Sequence, residues 1–478
     1  MPRPITVEER ATVQLGNSLP QSIETSFWGK DAVRAEPEPS VKYYSDLMRV
    51  SGHRGQAAAA FAAIAKARAE IAALHRDPAA FKAQRSDIAD LQADLLQPKS
   101  AQDEMLRFVP AGKPAPRLRA AAGRMLAFER DFGDMIRPAA DWLAGQAAPD
   151  EIGQADLGVI AQFSRLCATT LQDQDLLSTL SEVLHTVQRV AAQAGVRVVA
   201  IPDFAFGMLE NRPDHILSFH TAGRFAGFTH FKRGDLPGFM VLDAGGYSGW
   251  STLSGADLSD LDLPPLPEAK AICRALWQDI VAANISKYSQ DDMQDPGEPL
   301  PESYVFVPFQ VATDRTQAMA RMSLDAMLDM VLARFAGSEV KVVVKPHPKS
   351  ADLDQLGRLI ALAEAGKIVL RFDSIHRLIA GSAAVITVNS GVGSEAMLHG
   401  KPIYCCGAAD YDPIAHHIVD AAQFAELTTP IRPAVTPDDL TRFTAYYRKS
   451  YLVEWQKPGR LEQAIRQRVI EPILAARG

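Results

Sequence analysis

The sequence contains only four cysteines in 478 residues, Cys167, Cys273, Cys405 and Cys406. So few and so scattered thiols exclude a disulfide framework and a cysteine-based zinc site. Cys405 and Cys406 stand side by side in the strand-like run Pro-Ile-Tyr-Cys-Cys-Gly, which favours buried free thiols over a redox pair.

Long apolar runs are also absent. No window approaches the ~18 uncharged apolar residues of a membrane-spanning helix, and residues 1–10 lack the apolar stretch of a signal peptide. The net charge of −7 argues against a dedicated nucleic-acid binder. We therefore expect a cytoplasmic protein with no nucleic-acid partner, and at most a peripheral association with assembly machinery at the inner face of a membrane.

What the chain does contain is a change of pattern near residue 190. Before it, residues 54–195 space their apolar side chains three and four apart, which is the period of helices. After it come three runs with the character of strands, at 196–201, 215–220 and 238–243. We predict a mainly helical N-terminal region over 1–190, and a Rossmann-like portion followed by a polar linker over 191–295.

Beyond the linker, strands and helices alternate. Strands are predicted at 303–308, 341–344, 368–372, 383–388 and 402–406. Helices are predicted between them at 316–336, 351–365, 374–381 and 391–399. This alternation is typical of a parallel, doubly wound sheet, so the fold class is α/β. The boundaries place a second Rossmann-like domain over 296–450 and a C-terminal helix over 451–478.

The first motif with chemical content is Val-Val-Val-Lys-Pro-His-Pro at 342–348. An apolar strand ends there in Lys345 and His347, and ligands of open α/β sheets bind outside the carboxyl ends of the strands. A lysine and a histidine at such an edge can donate to phosphate oxygens. The alternative is that the two prolines merely shape a loop and His347 caps it.

The second motif is Asn-Ser-Gly-Val-Gly-Ser-Glu-Ala at 389–396, which follows another strand. Glycines at the start of a helix let the backbone approach a ligand, and free N–H groups there attract anions. The residues of interest are Asn389, Ser390, Gly391, Gly393 and Glu395. The alternatives are tight strand–helix packing for the glycines and a favourable helix-terminal charge for the glutamate.

Three further positions are weaker candidates. Asp243 ends a strand and could act as a general base or a nucleophile, or could simply be a turn aspartate before two glycines. Gln310 and Asp314 follow the first strand of the C-terminal domain, a common ligand position, although Asp314 is equally typical of a helix N-cap. His416 and His417 are adjacent, but no further metal ligands stand at a suitable spacing, so no metal site is predicted.

Taken together, the motifs of residues 300–455 resemble those of the capsule polysaccharide biosynthesis proteins, which include bacterial β-Kdo transferases. The motifs are Phe-Gln-Val-Ala-Thr-Asp (309–314), Lys-Pro-His-Pro (345–348), Asn-Ser-Gly-Val-Gly-Ser-Glu-Ala (389–396), Gly-Lys-Pro (400–402) and Gly-Ala-Ala-Asp-Tyr (407–411). The resemblance implies a GT-B-like fold, in which two Rossmann-type domains face a cleft, with the large helical portion added at the N-terminus. The 191–295 region would be the acceptor side and 296–450 the donor nucleotide-binding domain.

The same resemblance implies a glycosyltransferase without metal or other cofactor. It would move a sugar, CMP-Kdo being the donor of the best-known members, onto a capsule or surface glycan or a glycolipid. His347 and Ser390 would contact the donor phosphate and Glu395 the hydroxyls of the nucleotide sugar, with Gln310, Lys345, Asn389, Gly391 and Gly393 completing the donor site. Asp243 and His347 are the predicted catalytic pair. The alternatives are a GT-B-like sugar-nucleotide epimerase or hydrolase, and a non-catalytic scaffold in polysaccharide assembly.

Overall fold

The computed structural model describes residues 129–144, 146–147, 150–160, 174–201, 209, 211–219, 223–288, 290, 299–312, 314–348, 350 and 352–477. The predicted helical region up to residue 128 lies outside these residues. Two six-stranded sheets and their helices make up the described chain. For this part of the chain, the predicted α/β class with two Rossmann-type domains is confirmed.

The first sheet begins earlier than the sequence indicated. Its first five strands are β1 Leu157–Ile160, β2 Val198–Ala200, β3 His215–Phe219, β4 Phe228–Arg233 and β5 Phe239–Asp243. Strands β1 to β4 are parallel, whereas β5 runs antiparallel to β4. Because β1 belongs to this sheet, the first domain extends to the N-terminal side of the predicted boundary at 190. Strands β1 and β4 are absent from the sequence prediction.

The second sheet is parallel throughout. Its strands are β6 Tyr304–Pro308, β7 Lys341–Lys345, β8 Val369–Leu370, β9 Ala384–Thr387, β10 Ile403–Cys405 and β11 His416–His417. Their spatial order is β11-β10-β9-β6-β7-β8, the doubly wound order of dinucleotide-binding domains. The chain order therefore reverses between β6 and β9, which makes that point the switch of the sheet.

Alternation of side chains explains why the second sheet is buried on both faces. Val305, Val307 and their neighbours on adjacent strands pack into one apolar cluster, while Phe306 packs into the other. Successive residues of a strand point to opposite faces, so an unbroken apolar run supplies both cores. Cys405 and Cys406 follow the same rule and are buried free thiols on opposite faces, which confirms the prediction for this pair.

Helices surround the sheets. They are α1 Glu129–Ala144, α2 Asp150–Gly153, α3 Gln174–Gln193, α4 Leu266–Leu276, α5 Leu324–Phe335, α6 Leu353–Glu364, α7 Ile375–Gly381, α8 Val392–Leu398, α9 Ala421–Leu427, α10 Pro437–Tyr446, α11 Arg460–Ile465 and α12 Glu471–Ala475. Side-chain caps fix several N-termini: Ser323 accepts a hydrogen bond from the third residue of α5, and Asp352 does the same for α6.

The C-terminal segment returns to the first domain. Strand β12, Val453–Glu454, pairs antiparallel with β5 and completes the first sheet. Leu461, Ile465 and Ile470 then pack into the core of that domain. Residues 451–478, predicted as a helix alone, thus contain strand β12 and are then divided into α11, a π-helical turn over Arg466–Ile470, and α12.

Candidate functional site

A cleft of about 360 Å³ lies between the two sheets. Its C-terminal wall is built from the loops that follow β6, β7 and β9, so it occupies the crevice at the switch point of the parallel sheet. Its N-terminal wall comes from the end of β4 and the segments after it. The cleft is the place where a ligand of such a sheet is expected to bind.

Gln310 and Asn389 join the two loops at the switch point. The Gln310 amide nitrogen donates to the Asn389 side-chain oxygen at 3.0 Å, and the Asn389 backbone N–H donates back to the Gln310 side-chain oxygen at 3.1 Å. Asn389 also donates to the Thr316 carbonyl at 2.7 Å. Both side chains are buried, so their role in the structure is to fix the two loops against each other.

Asp314 caps the short 3₁₀ helix Arg315–Met319. Its carboxylate accepts from the backbone N–H of Thr316 at 2.9 Å and from the hydroxyl of the same residue at 2.8 Å. Of the two readings that the sequence allowed for this aspartate, the structure shows the helix cap. Asp314 also lines the cleft, so its charge contributes to the field there.

The glycine motif forms a tight turn into α8. Ser390 accepts the Val392 N–H on its hydroxyl at 3.2 Å, and its own N–H donates to Thr387 at 3.1 Å. Gly391 lines the cleft, whereas Gly393 does not. A Cβ on Gly393 would lie 2.3 Å from Cζ of Tyr411, so this glycine exists for close packing.

Lys345 and His347 extend from the end of β7 into the cleft. The Lys345 ammonium donates to the Gln290 side-chain oxygen at 3.3 Å and to the Asp373 carbonyl. Gln290 in turn accepts the Ile375 N–H at 2.8 Å, which anchors part of the interdomain linker on the second domain. The His347 ring meets Tyr288 edge-on, with 5.1 Å between centroids.

Glu395 is the most deeply buried acid of the cleft, with 3% of its surface exposed. One carboxylate oxygen, Oε1, has no hydrogen-bond partner among the described residues. Burial raises the pKa of Glu395 from 4.5 to about 7, against the opposing hydrogen bond from Ser286. A buried acceptor without a partner is uncommon, and a ligand hydroxyl in the cleft would satisfy it.

Asp243 lies outside the cleft lining. Strand β5 runs antiparallel to β4, and Lys232 of β4 pairs with Val241 of β5 where both residues line the cleft. The carboxyl end of β5, which carries Asp243, therefore points away from the cleft. The Asp243 carboxylate accepts hydrogen bonds from the backbone of Gly245, at 2.5 Å, and from the hydroxyl of Thr252, at 2.7 Å. This placement fits the turn aspartate that the sequence also allowed, and does not support Asp243 as the catalytic base.

Two lysines that the sequence reasoning missed face the site. Lys232, at the end of β4, holds its ammonium 4.1 Å from the centroid of the Tyr247 ring. Burial lowers the pKa of Lys232 to about 8, and the nearby charge of Lys287 contributes in the same direction. Lys287 lines the cleft and is partly exposed to solvent, and desolvation by the surrounding protein lowers its pKa as well. Two mutually repelling cations beside a cavity favour an anionic occupant.

A buried ion pair closes the floor of the cleft. Arg448 is fully buried and donates to both carboxylate oxygens of Asp235, at 2.8 and 2.7 Å. Its guanidinium also donates to the Ser394 carbonyl at 3.1 Å, and the Ser394 hydroxyl donates to Asp235. The pair therefore links the first domain, the π-helical turn Tyr447–Tyr451 that follows α10, and helix α8 at one point.

The described part of the chain offers neither a metal-binding cluster nor a membrane-spanning helix. Within the described residues, no group of three or more His, Cys, Asp or Glu side chains is arranged to hold a metal ion. His416 and His417 form edge strand β11, and the ring of His416 faces the Arg432 carbonyl at 2.9 Å. In the same part of the chain, no helix combines the length and apolar character needed to cross a bilayer.

Comparison with known families identifies one segment. Residues 266–415 match the family described as capsule polysaccharide biosynthesis protein. The resemblance inferred from the motifs is thereby confirmed for this segment, which holds Gln310, Lys345, His347 and the glycine motif. A comparison with curated proteins returned no match.

Solved structures of low similarity were also found. The β-Kdo 2,4 transferase KpsC of Thermosulfurimonas dismutans is 15% identical, with a TM-score of 0.36, over 61% of this chain and 98% of that one. The β-Kdo 2,7 transferase KpsC of the same organism is 16% identical, with a TM-score of 0.35, over 62% and 92%. The UDP-GlcNAc 2-epimerase of Methanocaldococcus jannaschii is 10% identical, with a TM-score of 0.25, over 60% and 98%.

Proposed function

We propose that this protein is a glycosyltransferase of surface polysaccharide synthesis that takes its sugar from a nucleotide donor held in the interdomain cleft. The observation that carries the proposal is the arrangement at the switch point. Lys345, His347 and Ser390 from the second domain face the same cavity as Lys232 from the first. The family match over residues 266–415 adds that this segment is related to capsule polysaccharide biosynthesis proteins.

The proposed chemistry is charge stabilisation. When the sugar leaves the donor, negative charge develops on the nucleotide phosphate. A cationic lysine and the imidazole N–H of His347 placed around that phosphate would stabilise the developing charge more than the ground state, which lowers the barrier. Glu395, with its unpartnered oxygen, would accept a hydrogen bond from a sugar hydroxyl of the nucleotide. The acceptor would enter from the side of the first domain.

CMP-Kdo is one candidate donor, and a nucleoside diphosphate sugar is another. Lys232, Lys287 and Lys345 all line the cleft. Their combined positive charge exceeds the negative charge of a single phosphate diester, so the cleft can accommodate a donor with one phosphate or with two.

A transfer assay tests the proposal. Purified protein is supplied with CMP-Kdo or with UDP- and GDP-sugars, and with a glycan acceptor, and the released nucleotide and the extended glycan are both quantified. His347→Ala should reduce transfer by about 10²-fold or more, as for loss of a transition-state donor. His185→Ala, at an exposed position of α3 that does not line the cleft, is the matched control and should keep the wild-type rate.

Three outcomes would count against the proposal. A His347→Ala variant that transfers sugar at the wild-type rate would show that His347 does not stabilise the charge on the leaving phosphate. Equal turnover of the donor with and without acceptor would instead indicate the epimerase or hydrolase alternative, because those reactions need no glycan. An inactive wild-type protein that binds no nucleotide would favour the scaffold.

A further inference from the structure

The loop after β10, residues 407–412, is held rigidly between the two domains. The Asp412 carboxylate accepts from the Ala409 N–H at 3.0 Å within the loop, and from the Ser254 hydroxyl of the first domain at 2.8 Å. Gly249 of the first domain packs so closely that a Cβ there would lie 2.7 Å from the Ala408 carbonyl oxygen. The loop therefore has a fixed position at the junction of the two walls.

Asp410 stands in this loop and lines the cleft. The neighbouring Tyr411 donates its hydroxyl to the Ser390 carbonyl at 2.8 Å, which sets Asp410 beside the glycine turn. The Asp410 carboxylate accepts a hydrogen bond from the Tyr447 hydroxyl at 3.0 Å. Among the described residues no cation lies within ion-pair distance of it, so the carboxylate retains capacity to accept a further proton or hydrogen bond.

The other acids of the cleft are already engaged or are placed differently. Asp235 is paired with Arg448, and Asp314 caps a 3₁₀ helix. Glu395 lies on α8, inside the second domain and behind the glycine turn. Asp410 is thus the carboxylate at the junction with the first domain, where donor and acceptor would meet.

We propose that Asp410 is the catalytic base of the transfer reaction, in the role for which the sequence suggested Asp243. The proposal rests on the proposed function. In the step, the acceptor hydroxyl oxygen forms a bond to the anomeric carbon while its proton passes to the Asp410 carboxylate. The bond between the anomeric carbon and the phosphate oxygen breaks, and the nucleotide leaves with that electron pair. Asp410 then releases its proton to solvent.

The electrostatic surroundings suit a base that works near neutral pH. Burial raises the pKa of Asp410 from 3.8 to about 7, and the negative charges of Asp235 and Asp412 contribute in the same direction. The hydrogen bond from Tyr447 opposes them. From β4, Lys232 interacts electrostatically with Asp410, whose negative charge raises the pKa of Lys232 against the effect of burial. A base with a pKa close to the working pH is deprotonated in a large fraction of the molecules and still has a strong tendency to accept the proton.

The test compares three variants in the transfer assay and in nucleotide titration. Asp410→Asn should lower kcat/KM by about 10²- to 10⁴-fold and leave the nucleotide Kd within about twofold. Tyr447→Phe removes the hydrogen bond that favours the carboxylate, so the acidic limb of the kcat/KM profile should move to higher pH. Glu395→Gln should show the opposite pattern from Asp410→Asn, with weakened nucleotide binding. Asp257→Asn, an exposed aspartate outside the cleft, is the control.

Retention of wild-type kcat/KM by Asp410→Asn, with His347→Ala inactive, would overturn the inference and leave the proposed function intact. If Asp410→Asn fails to fold, the Tyr447→Phe profile decides, and an acidic limb unchanged from wild type overturns the inference. A wild-type protein inactive with every donor would overturn the proposed function, and this inference with it.

Discussion

Replacing Glu395 by glutamine should make the protein more stable at neutral and alkaline pH. The side chain is 3% exposed, and burial raises its pKa from 4.5 to about 7. A raised pKa means that the fold favours the protonated form and resists ionisation. Glutamine keeps the shape of that neutral form and removes the ionisable group.

The magnitude and its pH window follow from the two pKa values. Below about pH 4.5 the carboxyl is protonated in both states, so wild type and variant should have similar stability. Between there and about pH 7 the folded protein holds a proton that the unfolded chain has lost, so wild-type stability falls as pH rises. Above that window the loss of wild-type stability caused by the ionised carboxylate levels off at about 3 kcal/mol, because the pKa is raised by about 2.5.

Urea unfolding at about pH 5 and about pH 8, with free energies from linear extrapolation, measures this difference. Glu395→Gln should exceed wild type by about 2–3 kcal/mol at the higher pH and by less than about 1 kcal/mol at the lower one. Glu364→Gln, at an exposed position near the end of α6, should show no such pH dependence. A variant no more stable than wild type at about pH 8 would show that the carboxylate is not desolvated, and would refute the reasoning.

Two further predictions concern the walls of the cleft. Arg448→Met should cost about 3–5 kcal/mol in urea unfolding, because it leaves the Asp235 charge unpaired in the floor of the cleft, and a loss below about 1 kcal/mol would contradict this. Gly393→Ala should lower stability by about 2 kcal/mol through its clash with Tyr411, whereas Gly391→Ala should be nearly neutral, since its Cβ would meet its nearest neighbour at 3.4 Å. Equal melting temperatures for the two glycine variants would disprove the packing role of Gly393.

The second domain could be predicted from sequence because its signals are local. Each long strand is an apolar run buried on both faces, and each loop that reaches the cleft begins where such a run stops. Lys345, His347 and Ser390 were found in this way, and all three line the cleft. The family motifs lie in the same segments, so pattern and resemblance agree there.

The first domain was harder to predict from sequence, because its strands and its site depend on long-range contacts and lack a local pattern. Strand β4 buries Thr229 and His230, so its sequence lacks the apolar alternation of a strand. The direction of β5 depends on its pairing with β4, and a local pattern cannot reveal that Asp243 points away from the cleft. Asp410 stood within a recognised motif, but its position beside Tyr447 depends on a contact between residues far apart in the chain.

The central claim is that a nucleotide binds in the cleft, and a thermal-shift titration with CMP, UDP, GDP and ADP tests it most directly. At about 100 times its Kd, a nucleotide specific for the folded state should add about 2.7 kcal/mol of stability and raise Tm by several degrees. His347→Ala should reduce that rise, and His185→Ala should not. Preference for CMP would support a Kdo-like donor, whereas preference for UDP or GDP would exclude CMP-Kdo as the donor. If no nucleotide raises the Tm of the wild-type protein at millimolar concentration, the account is wrong.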